Sequence, residues 1–133
     1  MNEVFARKVL IVDDEPHIRA FLRMVVTELG ALETHEAADG VAALLAYREF
    51  APDLVLLDIN LIGDDGVTVL GKLLALDPNA RVVMLSAVAS REVVEQCADA
   101  GVLNFIRKDL PRGELLKLLR ETWASANAEP NAT

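Results

Sequence analysis

Three carboxylates close short apolar runs. Asp13 and Asp14 follow Leu10-Ile11-Val12, and Asp58 follows Leu54-Val55-Leu56-Leu57. Such β-rich runs suit strands buried on both faces. An ionised carboxylate inside such a sheet would be very costly, so each belongs at a strand's exit. Two carboxylates about 5 Å apart, at an effective dielectric near 20, repel by roughly 3 kcal/mol. Three together therefore raise one another's pKa or recruit a cation. Oxygen ligands completed by water suit Mg²⁺. Two more polar residues stand at run ends: Ser86 after Val82-Val83-Met84-Leu85, and Lys108 shortly after Phe105-Ile106. Lys108 offers a mobile point charge, the usual partner of a phosphoryl oxygen. Ser86 offers a hydroxyl that can donate to another. With these around it, Asp58 can act as a nucleophile that forms an acyl phosphate, the cation and Lys108 stabilising the transferring group.

To converge, these residues need strands that run the same way and end on one edge. Lys8–Val12 is the first strand. Asp14, Glu15 and Pro16 make a helix start, Ile18, Phe21, Leu22, Val25, Val26 and Leu29 its buried stripe, and Gly30 its stop. Leu32–Ala37 is a more polar strand that suits an edge. Asp39 can cap a helix from about Val41 to Phe50, packed through Leu44, Leu45 and Tyr47. Asp53–Asp58 is the third strand. The third helix follows Gly66, faces inward through Val69, Leu70, Leu73 and Leu74, and closes at Asp77-Pro78-Asn79. Gly63-Asp64-Asp65-Gly66 reads as a turn and a cap for that helix; it lacks the ligand spacing of an EF-hand loop. Arg81–Ser86 is the fourth strand, and Ser90 can cap a helix through Ala100 that Gly101 ends. Leu103–Arg107 is the fifth strand, and Pro111 opens a last helix packed through Leu115, Leu116, Leu118 and Leu119. Five βα units imply an α/β fold: a parallel sheet covered by helices on both faces, with right-handed crossovers.

At 133 residues the chain reads as one domain over 1–123, with Ala124–Thr133 a tail or the start of a linker. The lone Cys97 cannot pair internally and reads as a packed small hydrophobe. No stretch has the zones of a signal peptide or the length of a membrane span, so a cytoplasmic location is expected. The net charge of −8 argues against direct nucleic-acid binding, which needs a cationic face. His17 and His35 stand apart with no zinc spacing, although His17 lies close enough in sequence to fringe the site. Trp123 reads as a packing residue at a helix end.

At the chemistry-bearing residues the chain resembles the receiver domain of two-component response regulators, the CheY-like family. The resemblance runs from Lys8 to about Thr122. It rests on Val12-Asp13-Asp14-Glu15, Leu56-Leu57-Asp58 with Gly66 eight residues later, Leu85-Ser86-Ala87, and Phe105-Ile106-Arg107-Lys108. It implies the flavodoxin-like (βα)5 fold with strand order 2-1-3-4-5. By position it implies that Asp58 is the phosphoacceptor. Asp13, Asp14, Asp58 and the Asn60 backbone carbonyl would be ligands of Mg²⁺, with Mn²⁺ able to substitute. Ser86 would contact the phosphoryl group beside Lys108, and Phe105 would change rotamer when Ser86 moves. The implied partners are a histidine kinase or phosphotransfer protein as donor and a downstream output protein or effector domain, and phosphorylation-driven homodimerisation is allowed. The output surface would be the fourth helix, fifth strand and fifth helix. Such a domain is a phosphoacceptor switch that assists its own phosphorylation and dephosphorylation, not an enzyme acting on a separate substrate.

Three departures from the family pattern stand out. Leu61-Ile62 replaces the usual Met-Pro pair. Asp109 replaces the usual Pro after Lys108, so no cis bond is expected there, and Lys-Asp resembles receivers joined to helix-turn-helix domains. Val88 offers no polar group to orient a hydrolytic water, which suits a long-lived phosphoryl-Asp. Two alternatives differ in output or class. One is the N-terminal receiver of a longer DNA-binding transcriptional regulator. The other is an aspartyl phosphatase of haloacid-dehalogenase type, but Asp58 is followed by Ile59-Asn60 rather than standing in Asp-x-Asp after the first strand, and there is no room for a cap domain. A degenerate receiver used only for binding fits poorly with retention of all five polar positions.

Overall fold

The computed structural model describes residues 5–61, 63–87 and 90–127. The apolar runs form β1 (Lys8–Val12), β2 (Glu33–Ala37), β3 (Leu54–Asp58), β4 (Val82–Ser86) and β5 (Asn104–Arg107). Between and after them run α1 (Pro16–Leu29), α2 (Gly40–Phe50), α3 (Gly66–Leu76), α4 (Arg91–Ala100) and α5 (Arg112–Ala126). All strand pairs in this sheet are parallel, in the order β2-β1-β3-β4-β5. This is the doubly wound order that the resemblance implied. β2 lies at the edge, as its polarity suggested, and four of its five residues keep some exposure.

Helix boundaries follow local chemistry. The Asp39, Asp65 and Ser90 side chains accept from the N–H groups of Ala42, Thr68 and Val93 and so cap α2, α3 and α4. At α1 the cap position falls on Glu15, with Pro16 just inside, which leaves the Asp14 carboxylate free of capping. Gly30 ends α1 at φ 125°, a conformation a side chain would resist. Strands β2 to β5 each begin one residue later than the apolar runs suggested. At β3 the reason is visible: the Asp53 carboxylate accepts from the Lys8 N–H (3.0 Å), so Asp53 acts as a clasp rather than a ladder member. Gly63-Asp64-Asp65-Gly66 is the expected turn and cap. It also closes a two-residue antiparallel ladder, Asn60–Leu61 against Asp64–Asp65, which periodicity could not reveal.

Strand side chains alternate between two cores. Val9, Ile11, Leu54, Leu56, Val83, Leu85 and Ile106 pack with Leu22, Val25 and Val26 of α1 and Leu115, Leu116 and Leu119 of α5. Leu10, Val12, Val55, Leu57, Val82 and Met84 pack with Ala43 and Tyr47 of α2, Val69, Leu70 and Leu73 of α3, and Cys97 of α4. Leu45 corrects the expected packing of α2: it is 54% exposed. The buried line Ala43, Tyr47, Phe50 follows the i, i+4, i+7 spacing, and Leu45 falls outside that arc. Trp123 packs on Phe5 (5.8 Å between centroids) under the Arg81 guanidinium (5.4 Å). His35 stacks on Phe50 at 3.8 Å. The last helix continues through Ala126, and residues 128–133 of the expected tail lie outside the described residues. Among the described residues, no helix is long and apolar enough to cross a membrane.

One bond joins the helix layer across its lower end. Tyr47 Oη donates to Asp77 Oδ2 at 2.7 Å; burial first, and then this bond, push the tyrosine pKa up, and the bond holds the Asp77 carboxyl below its usual range. A depressed acid stabilises the fold above its unfolded pKa and loses that contribution as pH falls through the folded value. Tyr47→Phe should therefore lower the thermal midpoint by about 3 °C at neutral pH. The deficit should shrink as the pH is lowered through the Asp77 titration, as thermal melts across pH would show.

Candidate functional site

Strand register brings the polar residues together. Val12 pairs with Leu57, so the next residues, Asp13 and Asp58, leave the sheet side by side. Asp58 pairs with Leu85, which puts Ser86 one step further along the same edge. Ser86 pairs with Arg107, and the Lys108 N–H continues the ladder to the Ser86 carbonyl (3.0 Å). One sheet edge thus presents Asp13, Asp58 and Ser86, all buried, beside Lys108, whose side chain is only 11% exposed. Asp14 is half-buried next to them.

The charges are closely coupled. Lys108 Nζ donates to Asp13 Oδ2 at 2.9 Å and lies 3.2 Å from Asp58 Oδ2. Glu15 Oε1 is a more distant third neighbour at 3.8 Å. Burial works against the ammonium, but its hydrogen bond to Asp13 and the charges of Asp58 and Asp13 win, and its pKa rises above the ordinary lysine value. For Asp58 burial is the largest influence and pushes the carboxyl up. The Asn60 N–H, donating to Oδ1 at 3.2 Å, draws it down; Asp13 adds to the rise, Lys108 opposes it, and the net shift is upward. One ammonium is shared by two buried carboxylates, so part of the negative charge stays uncompensated.

That uncompensated charge bears on the cation expected here. Asp13, Asp14 and Asp58 each offer a carboxylate oxygen, and these oxygens lie within 4.8 Å of one another. An all-oxygen donor set of this charge fits a hard divalent cation. Phe105 sits apart from the carboxylates: it pairs with Met84 in the sheet, and its half-buried ring packs on the core shared with α2, α3 and α4. Val88 and Ile62 lie outside the described residues. Asp109 forms a two-point ion pair with Arg107 (2.8 and 3.2 Å), and no cis peptide occurs among the described residues.

Gly66 was visible as a motif position, but only the fold shows its purpose: a Cβ there would stand 2.5 Å from the Asp58 carbonyl oxygen. The role of Arg19 was missed altogether. Arg19 donates to the Asp13 carbonyl (2.7 Å) and to Glu36 Oε1 (2.9 Å), with Arg23 also near Glu36 (3.5 Å). Together with the Asp13 N–H bond to the Ala37 carbonyl (3.1 Å), this pins the peptide that orients both aspartates. A cation in the first turns of a helix opposes the helix dipole, and that oddity was the available signal. Arg19→Ala should cost about 1.5 kcal/mol in urea unfolding. Once Arg19 is gone, Glu36→Gln should cost almost nothing more, a non-additivity that a double-mutant cycle reads.

The family model described as "Response regulator receiver domain" matches residues 9–120. The chain belongs to the response-regulator receiver family. This receiver is 32% identical over 117 residues to a chemotaxis protein CheY of Bacillus subtilis, covering 88% of this chain and 98% of that one. It is 35% identical over 115 residues to the sporulation initiation phosphotransferase F of the same organism, covering 86% and 89%. Among solved structures it resembles a chain of the CheX–CheY–BeF3–Mg complex from Borrelia burgdorferi, with a TM-score of 0.80, 34% identity, and 92% and 90% coverage. The receiver is thus a phospho-accepting signalling module of a two-component system.

Proposed function

We propose that Asp58 is the residue that accepts the phosphoryl group, with a histidine kinase or phosphotransfer protein as donor. The observation that carries this reading is the Lys108 ammonium bridging two buried carboxylates from β1 and β3, at 2.9 and 3.2 Å. A carboxylate whose burial raises its pKa, held beside a cation it shares, is a poised nucleophile. In transfer, a carboxylate oxygen of Asp58 attacks phosphorus as the donor's P–N bond breaks; the bonding pair stays on the leaving imidazole nitrogen, which takes a proton from water. Lys108 exchanges its Asp58 contact for a phosphoryl oxygen, and Ser86 donates to a second one. Asp13, Asp14, Asp58 and the Asn60 carbonyl would hold Mg²⁺, or Mn²⁺ in its place. When bound, the cation neutralises charge on the phosphoryl oxygens and on the acidic cluster. The same groups assist loss of the phosphoryl group to water.

The new charge draws Ser86 and Lys108 inward and lets Phe105 follow, which biases the surface of α4, β5 and α5 between two states. That surface would meet the output protein or effector domain, or a second phosphorylated copy. A cytoplasmic location accords with the single buried, unpaired Cys97. The test is an amide NMR spectrum with MgCl₂ and beryllofluoride added. Wild type should shift at Ser86, Phe105, Lys108 and along α4, and Asp58→Asn should not. Identical shifts in both proteins, or none in wild type, would rule the reading out.

A further inference from the structure

Five large apolar side chains are conspicuously exposed among the described residues, and three of them share one face: Val41 (70%), Leu45 (54%) and Leu76 (47%). Leu44 and Leu45 of α2 and Ala75 and Leu76 of α3 line a hollow of about 330 Å³, flanked by Arg48 and Lys72. Leu45 also lines a second hollow, about 450 Å³, that reaches Val41 and the Gly63-Asp64 turn. The shared leucine makes the two a single trough between α2 and α3. It lies on the helix layer opposite α1 and α5, the layer that α2 and α3 share with α4, and away from β5 at the other edge of the sheet. Apolar side chains gathered in this way mark a contact surface.

The charges around the trough restrict what can lie in it. Arg48 and Lys72 form no ion pair among the described residues, and they are the two cations that border the trough. Two unpaired cations beside leucines, in a chain of net charge −8, ask for carboxylates from outside. A second copy docked with its two-fold axis along the trough would bring four such cations together. An anionic membrane would meet Asp39 and Asp64, which line the other end of the trough. The stretch of α2 from Val41 to Arg48 is about 10 Å long, which suits about two turns of a helix. We propose that this trough receives an amphipathic helix of a partner protein. Its apolar side chains, spaced i, i+3 or i+4 and i+7, lie on Leu45, and its carboxylates face Arg48 and Lys72. The inference does not depend on which residue is phosphorylated.

The probes are two designed helical peptides of roughly 14 residues. They carry the same leucine stripe, flanked by Glu in one and by Lys in the other. Titrated into the isotopically labelled chain, the Glu peptide should shift amides of Leu44, Leu45, Lys72 and Leu76 saturably. It should bind about tenfold more tightly than the Lys peptide. The double variant Arg48→Glu, Lys72→Glu should invert that preference, and Leu45→Ser should weaken the Glu peptide by about tenfold, each with an unchanged circular dichroism spectrum. Equal affinity for both peptides, shifts confined to α4, β5 and α5, or no saturable binding would overturn the proposal. So would co-sedimentation with phosphatidylserine vesicles that Lys72→Glu abolishes, or self-association that Leu45→Ser abolishes.

Discussion

Replacing Lys108 with Met is expected to destabilise the protein by about 3 kcal/mol in metal-free buffer. The substitution keeps most of the side chain's length and removes the ammonium shared by Asp13 and Asp58, which are 0% and 2% exposed. Breaking a buried pair from one side leaves the other side desolvated and uncompensated, which explains the size of the loss. The pH dependence has a definite sign. Lys108 has a folded pKa above its ordinary 10.5, so its contribution is fully present below that value and disappears only as pH rises through the folded one. The gap between wild type and Lys108→Met should therefore be flat through neutrality and close in strong alkali. Adding MgCl₂ should restore more stability to the variant than to wild type, because a cation can replace the lost charge. Asp58→Asn should act the other way. Its carboxyl is raised, so ionised Asp58 costs stability at neutral pH. The Asn variant should melt higher at neutral pH, and this advantage should vanish in acid, where wild-type Asp58 is protonated. Urea and thermal melts across pH, with EDTA or MgCl₂, check both.

Gly66→Ala should cost about 2–3 kcal/mol and also slow phosphorylation sharply. An added Cβ would stand 2.5 Å from the Asp58 carbonyl oxygen and 2.6 Å from Ile59 Cα. Both neighbours are backbone, so no side-chain rotation can relieve the clash. The Gly66 N–H also donates to the Ile59 carbonyl at 2.7 Å, which fixes the close approach. Relief must come from moving the segment that carries Asp58. Gly71, in the same helix, supplies the control. A Cβ there meets nothing within 4 Å, so Gly71→Ala should stabilise by about 0.8 kcal/mol through helix propensity alone. Opposite signs from the same chemical change would separate packing at the site from the general effect of alanine. Equal effects would show that the site does not need the close approach.

The parts of this architecture legible in the sequence were those governed by burial. Leu54-Val55-Leu56-Leu57 had to be a strand, and a charge as costly as Asp58 had to leave it at the end. Hence the order of elements, the edge position of β2 and the convergence of Asp13, Asp58, Ser86 and Lys108 could be foreseen. What depended on cross-chain distances could not. The Arg19 clamp joins α1 to the far end of β2 through Glu36, residues 17 apart in the chain, and no local pattern encodes that contact. Leu45 looked like core because composition cannot say which arc of α2 meets the sheet. Gly66 was visible as a motif position, but its purpose, a backbone approach too close for any side chain, shows only in the folded chain. Phe105 was placed on the right strand, though its link to the phosphoryl site rests on movement.

The most direct test concerns Asp58 itself. Wild type, Asp58→Asn and Asp13→Asn would be incubated with acetyl phosphate and MgCl₂ and weighed intact. Wild type should gain one phosphoryl group, Asp58→Asn none, and Asp13→Asn the same group more slowly. An adduct of equal yield on Asp58→Asn, or no adduct on the folded wild type, would contradict the assignment of Asp58 as the phosphoacceptor.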